Sequence, residues 1–374
     1  NGYLKQKQKQ IRNQTHGGDV LIVALLKDCI KKKDIFRGIK IHADVAKKGL
    51  FAKSPYVASM LISMYTKCGM LSKAQQVLEE LPTRNIVSWN ALMAGYARQG
   101  QYHEVLRCFG CIQSEGLSEN MVTYICILKA CACIGAIEEG KQVHDQIMSK
   151  GLLEKNMVLG TALVDMYAKC GMVQKAQDLL EELTVRDVVS WSALIAGYSQ
   201  EGQYHEALNC FERMQSEGFS PDEITFTSIL KACASTGSLD KGKQIYEHLV
   251  NGGLLEKDIM LSHAVIDMYA KCGELAKAQQ VLDELHVRNI VSWSALIAGY
   301  VQQGRGHEAL NCFERMQNEG HSPNVVTFIC SLQACGLVGD IQKGQQIHEE
   351  IAKRGLLDTD IILGNALIDM YARC

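Results

Sequence analysis

Two cysteines three positions apart, Cys108 and Cys111, are the first residues of this chain whose spacing suggests chemistry. A C-x-x-C pair can bind zinc or exchange a disulfide. Two later copies of the same segment carry arginine in place of the second cysteine, at Arg213 and Arg315, and no second ligand pair stands at a partner spacing. We therefore favour a packing role for the pair and expect no metal site.

The histidines and the remaining motifs do not indicate catalysis. The sequence contains no P-loop, no G-x-G-x-x-G segment and no H-E-x-x-H zinc motif. His103, His205 and His307 recur at one position of a repeated segment, which favours a structural role for all three. The sequence predicts a chain with no catalytic residues, no metal and no cofactor.

An internal repeat determines the architecture that positions these residues. Trp89, Trp191 and Trp293 are spaced by 102 residues, and the residues around them repeat as well. Each 102-residue unit divides into pieces of 36, 31 and 35 residues. Residues 1–18 are predicted to form a basic and polar tail, and the predicted repeats are 19–54, 55–85, 86–120, 121–156, 157–187, 188–222, 223–258, 259–289, 290–324, 325–360 and a partial 361–374.

Each piece has the pattern of two amphipathic helices. In 188–222, apolar residues keep helical spacing as far as Tyr198, a turn follows, and a second apolar face runs from Ala207 to Met214. Gly218 then suits a left-handed helix C-cap. One hairpin cannot bury its apolar face alone, so neighbouring hairpins must stack. The predicted fold is all-α, a right-handed α-α superhelical solenoid of helical hairpins.

Composition and charge narrow the class of protein. The chain has 374 residues, a net charge of −2 and 15 cysteines, and it shows no signal peptide or membrane span. The net charge excludes a polycation that binds nucleic acid through bulk charge. Eleven cysteines share three repeat positions, which indicates small buried side chains and a reducing compartment. These are Cys29, Cys131, Cys233 and Cys335, then Cys68, Cys170, Cys272 and Cys374, then Cys108, Cys210 and Cys312.

The repeats resemble a known family. The segments 85–92 (NIVSWNAL) and 162–171 (ALVDMYAKCG) are similar to the P and S repeats of the PLS-class pentatricopeptide repeat proteins of plants, and 230–233 with 242–245 resembles their L repeat. The resemblance covers residues 19–374 and assigns the repeats above the recurring order L, S, P, beginning with L at 19–54 and ending in the partial S at 361–374. It implies single-stranded RNA binding at one base per repeat.

By this resemblance, the fifth and last residues of each repeat read a base. An amide donates and accepts hydrogen bonds whereas a carboxylate only accepts, so Asn and Asp can distinguish base edges. The alternative is that these residues serve only as N-caps of the following helix. The implied pairs are Ser59 with Asn85 (adenine), Asn90 with Asn120 (a pyrimidine), Thr161 with Asp187, Ser192 with Asp222 and Thr227 with Asp258 (guanine), His263 with Asn289 (no base assigned) and Ser294 with Asn324 (adenine). Three L repeats have an apolar fifth residue that cannot donate to a base, namely Val23, Ile125 and Ile329.

The second residue of each repeat would pack against the base. The alternative is that these side chains are ordinary core residues at a helix end. The expected base-packing residues are Val87, Val158, Val189, Ile224, Met260 and Val291.

Phosphate contacts are expected from Lys67, Lys169, Lys271 and Arg373, which share one repeat position. The first thirteen residues of the repeats carry a net charge of +3, which leaves −5 for the rest of the chain. In three cases an aspartate stands four residues earlier, so the basic side chain could equally brace its own helix. The two roles are compatible.

Two functions from different classes remain. The first is sequence-specific recognition of single-stranded organellar RNA, in a mitochondrion or chloroplast, as the targeting part of a C-to-U editing factor that acts as a monomer with accessory editing proteins. The second is a protein-binding scaffold of the tetratricopeptide type. The unequal repeat lengths and the polar pairs favour the first. The chain stops inside an S repeat, so the sequence does not include a C-terminal cytidine deaminase domain.

Overall fold

The computed structural model describes residues 20–49, 54–153, 156–357 and 360–374, and the predicted tail 1–18 lies outside these ranges. Within them the structure has 21 helices and no strand, which confirms the all-α prediction. Two compact units, Asn1–Ala193 and Leu194–Cys374, divide the chain.

The helices have nearly uniform lengths. In unit 1 they are α1 (20–32), α2 (Ile35–Lys47), α3 (Pro55–Lys67), α4 (Leu71–Glu79), α5 (Ile86–Arg98), α6 (Tyr102–Ser114), α7 (Met121–Ile134), α8 (Ile137–Ser149), α9 (Met157–Lys169) and α10 (Val173–Glu182). α11 (Val188–Gln200) contains the boundary between the units. In unit 2 they are α12 (Tyr204–Ser216), α13 (Glu223–Thr236), α14 (Leu239–Asn251), α15 (Ile259–Lys271), α16 (Leu275–Glu284), α17 (Ile290–Gln302), α18 (Gly306–Asn318), α19 (Val325–Val338), α20 (Ile341–Lys353) and α21 (Ile361–Arg373).

Each unit consists of stacked helical hairpins in two layers. In unit 1, α3, α5, α7 and α9 pack side by side, and α4, α6 and α8 each contact the odd-numbered helices before and after them. Unit 2 repeats this arrangement from α13 to α21. The predicted stack of hairpins is therefore confirmed, while the repeat boundaries remain a prediction.

Close approach between odd-numbered helices depends on small residues. A Cβ atom placed on Gly95 of α5 would lie 2.6 Å from Cβ of Thr66 on α3, closer than two carbon atoms can pack. The large aromatic residues fill the remaining space, and Trp293, Tyr65 and Tyr269 are almost completely buried. The stacking thus brings successive odd-numbered helices into direct contact.

Chain reversals follow the expected chemistry. Gly218 has φ of 85°, the left-handed conformation predicted for it after α12. Gly135 ends α7 in the same conformation and donates its N–H to the carbonyl of Cys131. Short hairpin connections of this kind keep the odd-numbered helices parallel within each unit, so their N-terminal ends lie on one side.

Candidate nucleic-acid interface

The asparagine or aspartate that ends each predicted repeat from 55–85 to 325–360 caps the odd-numbered helix that follows it, whereas Ser54, at the end of 19–54, makes no side-chain cap bond. Asn85 Oδ1 accepts the Ser88 N–H at 2.9 Å, and Asp222 Oδ1 accepts the Thr225 N–H at 2.8 Å. The same bond to the third helical residue is made by Asn120, Asp187, Asn289 and Asn324. Asn156 accepts from the second helical residue, and Asp258 and Asp360 accept from both the second and the third. The capping role considered for these residues is therefore present.

Capping also orients the side chain. Because Oδ1 bonds the backbone, the cap does not use the other terminal atom, which is Nδ2 in asparagine, a donor, and Oδ2 in aspartate, an acceptor. Two of these atoms have a partner in the chain, since Asn156 Nδ2 donates to Met121 Sδ and Asp187 Oδ2 accepts from Thr161. Two positions that differ only in this atom therefore offer opposite hydrogen-bonding character from the same cap. Capping explains why these positions hold asparagine or aspartate, since both residues cap a helix about equally well. It does not explain which of the two is present, because that choice changes only the terminal atom that the cap does not use.

Several fifth residues lie directly beside the last residue of the same repeat. Asn90 donates from Nδ2 to Asn120 Oδ1 at 3.0 Å, and Thr161 donates from Oγ1 to Asp187 Oδ2 at 3.2 Å. Ser59 is linked to its partner through one intermediate, since its hydroxyl bonds the Ser88 hydroxyl at 2.8 Å and Ser88 also donates to Asn85 Oδ1. In unit 1 the structure brings these three predicted pairs together.

The pairs of unit 2 are more loosely joined. Ser294 and Thr227 donate their hydroxyls to the backbone carbonyl four residues earlier, at 2.6 and 2.8 Å. Among the described residues, no hydrogen bond joins either of them to Asn324 or Asp258. Ser192 in unit 1 makes the same local bond, to the carbonyl of Val188 at 2.8 Å. The hydroxyls of Ser294 and Thr227 can still accept a hydrogen bond from a ligand, since each donates its one proton to a backbone carbonyl.

One groove in unit 2 gathers several of the predicted residues. It has a volume of about 420 Å³ and lies along α11, α13 and α15. Burial lowers the pKa of His263, so its imidazole is neutral near pH 7. The buried Nδ1 of this histidine has no partner among the described residues. The groove is lined by Thr227, Lys231, Met260, His263 and Asp267, among others.

The second residues of the repeats are exposed rather than core. The six predicted side chains range from 44% exposed at Val291 to 62% at Ile224. Sequence reasoning missed five more apolar side chains at the same repeat position, and the repeat register itself was the signal that would have found them. They are Val20, Tyr56, Val122, Val326 and Ile362, each at least 46% exposed. Each unit thus presents a row of exposed apolar side chains, and the last residues of the polar pairs are half-buried or, at Asn120 and Asn324, exposed.

The expected phosphate ligands are mostly paired along their own helices. Lys169 lies 2.9 Å from Asp165, Lys271 lies 2.8 Å from Asp267, and Arg373 lies 2.8 Å from Asp369. Lys67 is exposed and has Ser63 rather than an aspartate four residues before it. The bracing role is therefore formed in three of the four cases, while the cationic groups stay about half exposed.

The cysteines do not form a reactive centre. Cys108 is buried, which raises the pKa of its thiol to about 12, whereas Cys111 is exposed. Cys29, Cys131, Cys233 and Cys335 are buried as predicted, but the set that contains Cys68 is only half-buried or, at Cys374, exposed. In the described ranges no group of three or more His, Cys, Asp or Glu side chains could hold a metal ion, and no helix is both long and apolar enough to cross a membrane.

Comparison with known proteins identifies the family. One model, described as the PPR repeat family, matches residues 84–133, 186–235 and 288–336. A second, described as the PPR repeat, matches 56–86, 122–152, 161–188, 224–254 and 263–290. The chain belongs to the PPR repeat family. Together the two models match most of residues 56–336, in both units.

Two relatives from Arabidopsis thaliana illustrate the similarity. A pentatricopeptide repeat-containing protein named as mitochondrial is 35% identical over 89% of this chain and 59% of its own length. Another, named as chloroplastic, is 33% identical over 94% of this chain and 43% of its own length. The PPR chain described here therefore spans only part of the curated relatives it matches.

Solved structures show the same fold. The crystal structure of the pentatricopeptide repeat protein PPR10 in complex with an 18-nt psaJ RNA element has a TM-score of 0.69, with 20% identity over 83% of this chain and 47% of that one. The crystal structure of the pentatricopeptide repeat protein PPR10 from maize has a TM-score of 0.65, with 20% identity over 90% of this chain and 47% of that one. This likeness places the chain among PPR helical-repeat solenoids.

Proposed function

We propose that this chain binds single-stranded RNA on the N-terminal ends of its odd-numbered helices and reads about one base per repeat. The observation that carries the proposal is the pairing of an exposed apolar second residue with an N-cap whose outer atom is either a donor or an acceptor. At the predicted repeat 188–222, for example, Val189 is 57% exposed while Asp222 caps the next helix through Oδ1. The RNA held by PPR10, a protein of the same fold, supports the proposal.

The cap geometry gives a rule for the bases. An outer Nδ2 donor suits a ring nitrogen that accepts, such as N1 of adenine or N3 of cytosine. An outer Oδ2 acceptor suits an imino N–H, such as N1–H of guanine. The rule agrees with adenine at Asn85 and Asn324 and with guanine at Asp187 and Asp222. For Asn120, it favours cytosine of the two pyrimidines.

The finer function we propose is target recognition in an organellar C-to-U RNA editing factor of the PLS class. The recurring repeat lengths of 36, 31 and 35 residues support this class. The relatives named as mitochondrial or chloroplastic support an organelle. In this proposal the chain binds RNA as a monomer, catalysis belongs to another domain or protein, and accessory editing proteins are the further partners.

The direct test is binding to a labelled single-stranded RNA. From residue 55 onward the predicted string is A, C, any base, G, G, G, any base, A. The comparison RNA has the two guanines read by Asp187 and Asp222 changed to adenine. We expect the wild-type chain to prefer the first RNA, and the Asp187→Asn plus Asp222→Asn variant to prefer the second.

The paired substitution is a matched control because asparagine and aspartate cap helices about equally well. If both proteins bind both RNAs equally well, the polar pairs serve only as helix caps and the chain binds RNA without regard to sequence. Binding to neither RNA, with the thermal midpoint unchanged, would favour the protein-scaffold function instead.

A further inference from the structure

A cavity in unit 1 has a filled counterpart in unit 2. The cavity measures about 240 Å³ and lies between α4, α5 and α6. Its walls include Glu79, Trp89, Glu104, Cys108 and Cys111. The residues 204 positions later in the sequence occupy the same repeat positions in unit 2, so the two places can be compared side chain by side chain.

In unit 2 an arginine occupies this place. Arg315 stands where unit 1 has Cys111, and its guanidinium lies 2.6 Å from Asp283. The same guanidinium bonds Glu319 at 3.2 Å and stacks 5.2 Å from the ring of Trp293. Two carboxylates and an indole face are the contacts that a planar cation prefers.

Unit 1 keeps these three walls without the arginine. Glu79, Glu115 and Trp89 correspond to Asp283, Glu319 and Trp293. Glu79 accepts a hydrogen bond from Gln75 at 2.8 Å but makes no ion pair among the described residues. Two arginines line the cavity, and each is paired with a carboxylate other than Glu79: Arg84 with Glu115 at 2.6 Å, and the 75% exposed Arg107 with Glu104 at 2.9 Å.

The hydrogen bonding of the Trp89 indole differs from that of its unit 2 counterpart, Trp293. Its indole Nε1 donates to Glu115 Oε2 at 2.9 Å, whereas the indole nitrogen of Trp293 is buried with no hydrogen-bond partner among the described residues. Glu115 also pairs with Arg84 at 2.6 Å, as Glu319 pairs with Arg288 at 3.0 Å, so the difference in unit 2 is the additional bond from Glu319 to Arg315. A guanidinium that entered the unit 1 cavity would therefore compete for Glu115 and disturb the Trp89 indole proton.

From this comparison we propose that the cavity beside Cys111 is a binding site for a guanidinium group on a short alkyl chain. Glu79, which makes no ion pair among the described residues, supplies the charge, and Trp89 supplies the stacking face. Glu115 would be shared with Arg84, as Glu319 is shared between Arg288 and Arg315. The Cys111 thiol leaves the space that the arginine side chain takes up in unit 2. The site lies on α4–α6, and none of the residues that line it is an expected base-reading or base-packing residue.

The test uses the three tryptophan indole N–H resonances of the chain as reporters. The probes are N-acetyl-arginine N-methylamide, free arginine and agmatine, with the matching lysine amide as the control. We expect the guanidinium probes to shift the Trp89 resonance alone, with the lysine amide about tenfold weaker in apparent Kd. A preference for the capped amide over free arginine and agmatine would identify the source as an arginine of a peptide, and the reverse order a free metabolite.

Three variants make the test decisive. Cys111→Arg should fill the cavity and abolish the shift, whereas Cys111→Ala should retain it. Arg315→Ala should open a second site, so that the Trp293 resonance also responds. The proposal is overturned if the Trp89 resonance does not move, if Cys111→Arg still responds like the wild type, or if all three resonances move together.

Discussion

Asn90 and Asn120 lie 30 residues apart in sequence, yet Asn90 Nδ2 donates a hydrogen bond to Asn120 Oδ1 at 3.0 Å. The same Oδ1 accepts the N–H of Thr123, and the Thr123 hydroxyl donates to Oδ1 of Asn90. One oxygen therefore both caps α7 and fixes the fifth residue of its own repeat. Because this oxygen is fully engaged, Nδ2 of Asn120 is the part of the side chain that faces outward.

This arrangement predicts the outcome of Asn120→Asp. The cap should survive, so the thermal midpoint should change little. The outer donor becomes an acceptor, so the preferred base at this repeat should change from cytosine to a base with an imino N–H, guanine or uracil. The measurement is Kd for four RNAs that differ only at that position. An unchanged base preference would contradict the reading role, and Asn120→Ala, which loses the cap and about 1 kcal/mol, serves as the destabilised control.

A buried histidine should make the stability of unit 1 depend on pH. His144 bonds the hydroxyl of Tyr167 at 2.8 Å, and burial lowers its pKa. Below about pH 6.5, His144 therefore binds a proton more readily in the unfolded chain than in the folded chain. Stability should be complete above pH 6.5 and decline as the pH falls through that value. Denaturant midpoints at pH 7.5 and 5.5 would measure the decline.

The chain supplies a reciprocal control for this histidine. Two pairs in unit 2 match His144 and Tyr167: His348 with Tyr371, and Tyr246 with Tyr269, which has tyrosine in place of the histidine and ring centroids 5.5 Å apart. His144→Tyr should reduce the pH dependence, and Tyr246→His should increase it. Equal pH slopes in the wild type and both variants would assign the dependence to other groups.

The sequence predicted local structure better than exposure. Asn85 and Gly218 are helix-end signals that depend on the chemistry of a few neighbouring residues, and both act as expected. Whether a side chain is covered depends on the next hairpin in the stack, which periodicity within one helix does not report. For this reason the exposed Tyr56 went unnoticed, and the half-buried Cys170 was expected to be fully buried.

Interactions between side chains of different helices were also beyond sequence reasoning. The repeat register showed that Asn90 and Asn120 belong to one unit, but their direct hydrogen bond depends on how the hairpin closes. Likewise, the register aligned Cys111 with Arg315, whereas only the structure shows that the arginine bridges Asp283 and Glu319.

Close packing of the odd-numbered helices predicts opposite effects at two glycines of unit 1. Gly95→Ala would place its Cβ 2.6 Å from Cβ of Thr66, so the helices must separate at a cost of about 1–3 kcal/mol. Gly110 lies in α6 with nothing within 4 Å of its ideal Cβ position. Gly110→Ala should therefore stabilise the chain by about 0.5–1 kcal/mol, because alanine suits a helix interior better. Urea denaturation of the two variants would compare them, and similar shifts in one direction would disprove the packing argument.

The exposed second residues predict a loss of binding without a loss of stability. Ile224 is 62% exposed, so Ile224→Ser should change the free energy of unfolding by no more than about 0.5 kcal/mol. It should weaken RNA binding by about 1 kcal/mol, or about fivefold. Ile229 on the same helix is fully buried, and Ile229→Ala should cost about 2–5 kcal/mol of stability. If Ile224→Ser leaves RNA affinity unchanged, and only the destabilised Ile229→Ala binds RNA more weakly, Ile224 makes no direct contact with RNA.

The lysines at the ends of α9 and α15 could brace their own helices or contact phosphate. The salt dependence of RNA binding distinguishes the two roles. Lys169→Gln with Lys271→Gln removes two cations and should reduce the slope of log K against log salt by about 1.4, at about 0.7 for each phosphate on a single strand. Asp165→Asn with Asp267→Asn breaks the same pairs, at 2.9 and 2.8 Å, but keeps both cations. This second variant should keep the slope and bind RNA more tightly, because the lysines no longer have competing carboxylates. If the lysines only brace their helices, both variants should lose about 0.3–0.5 kcal/mol of stability per pair and neither should change the slope.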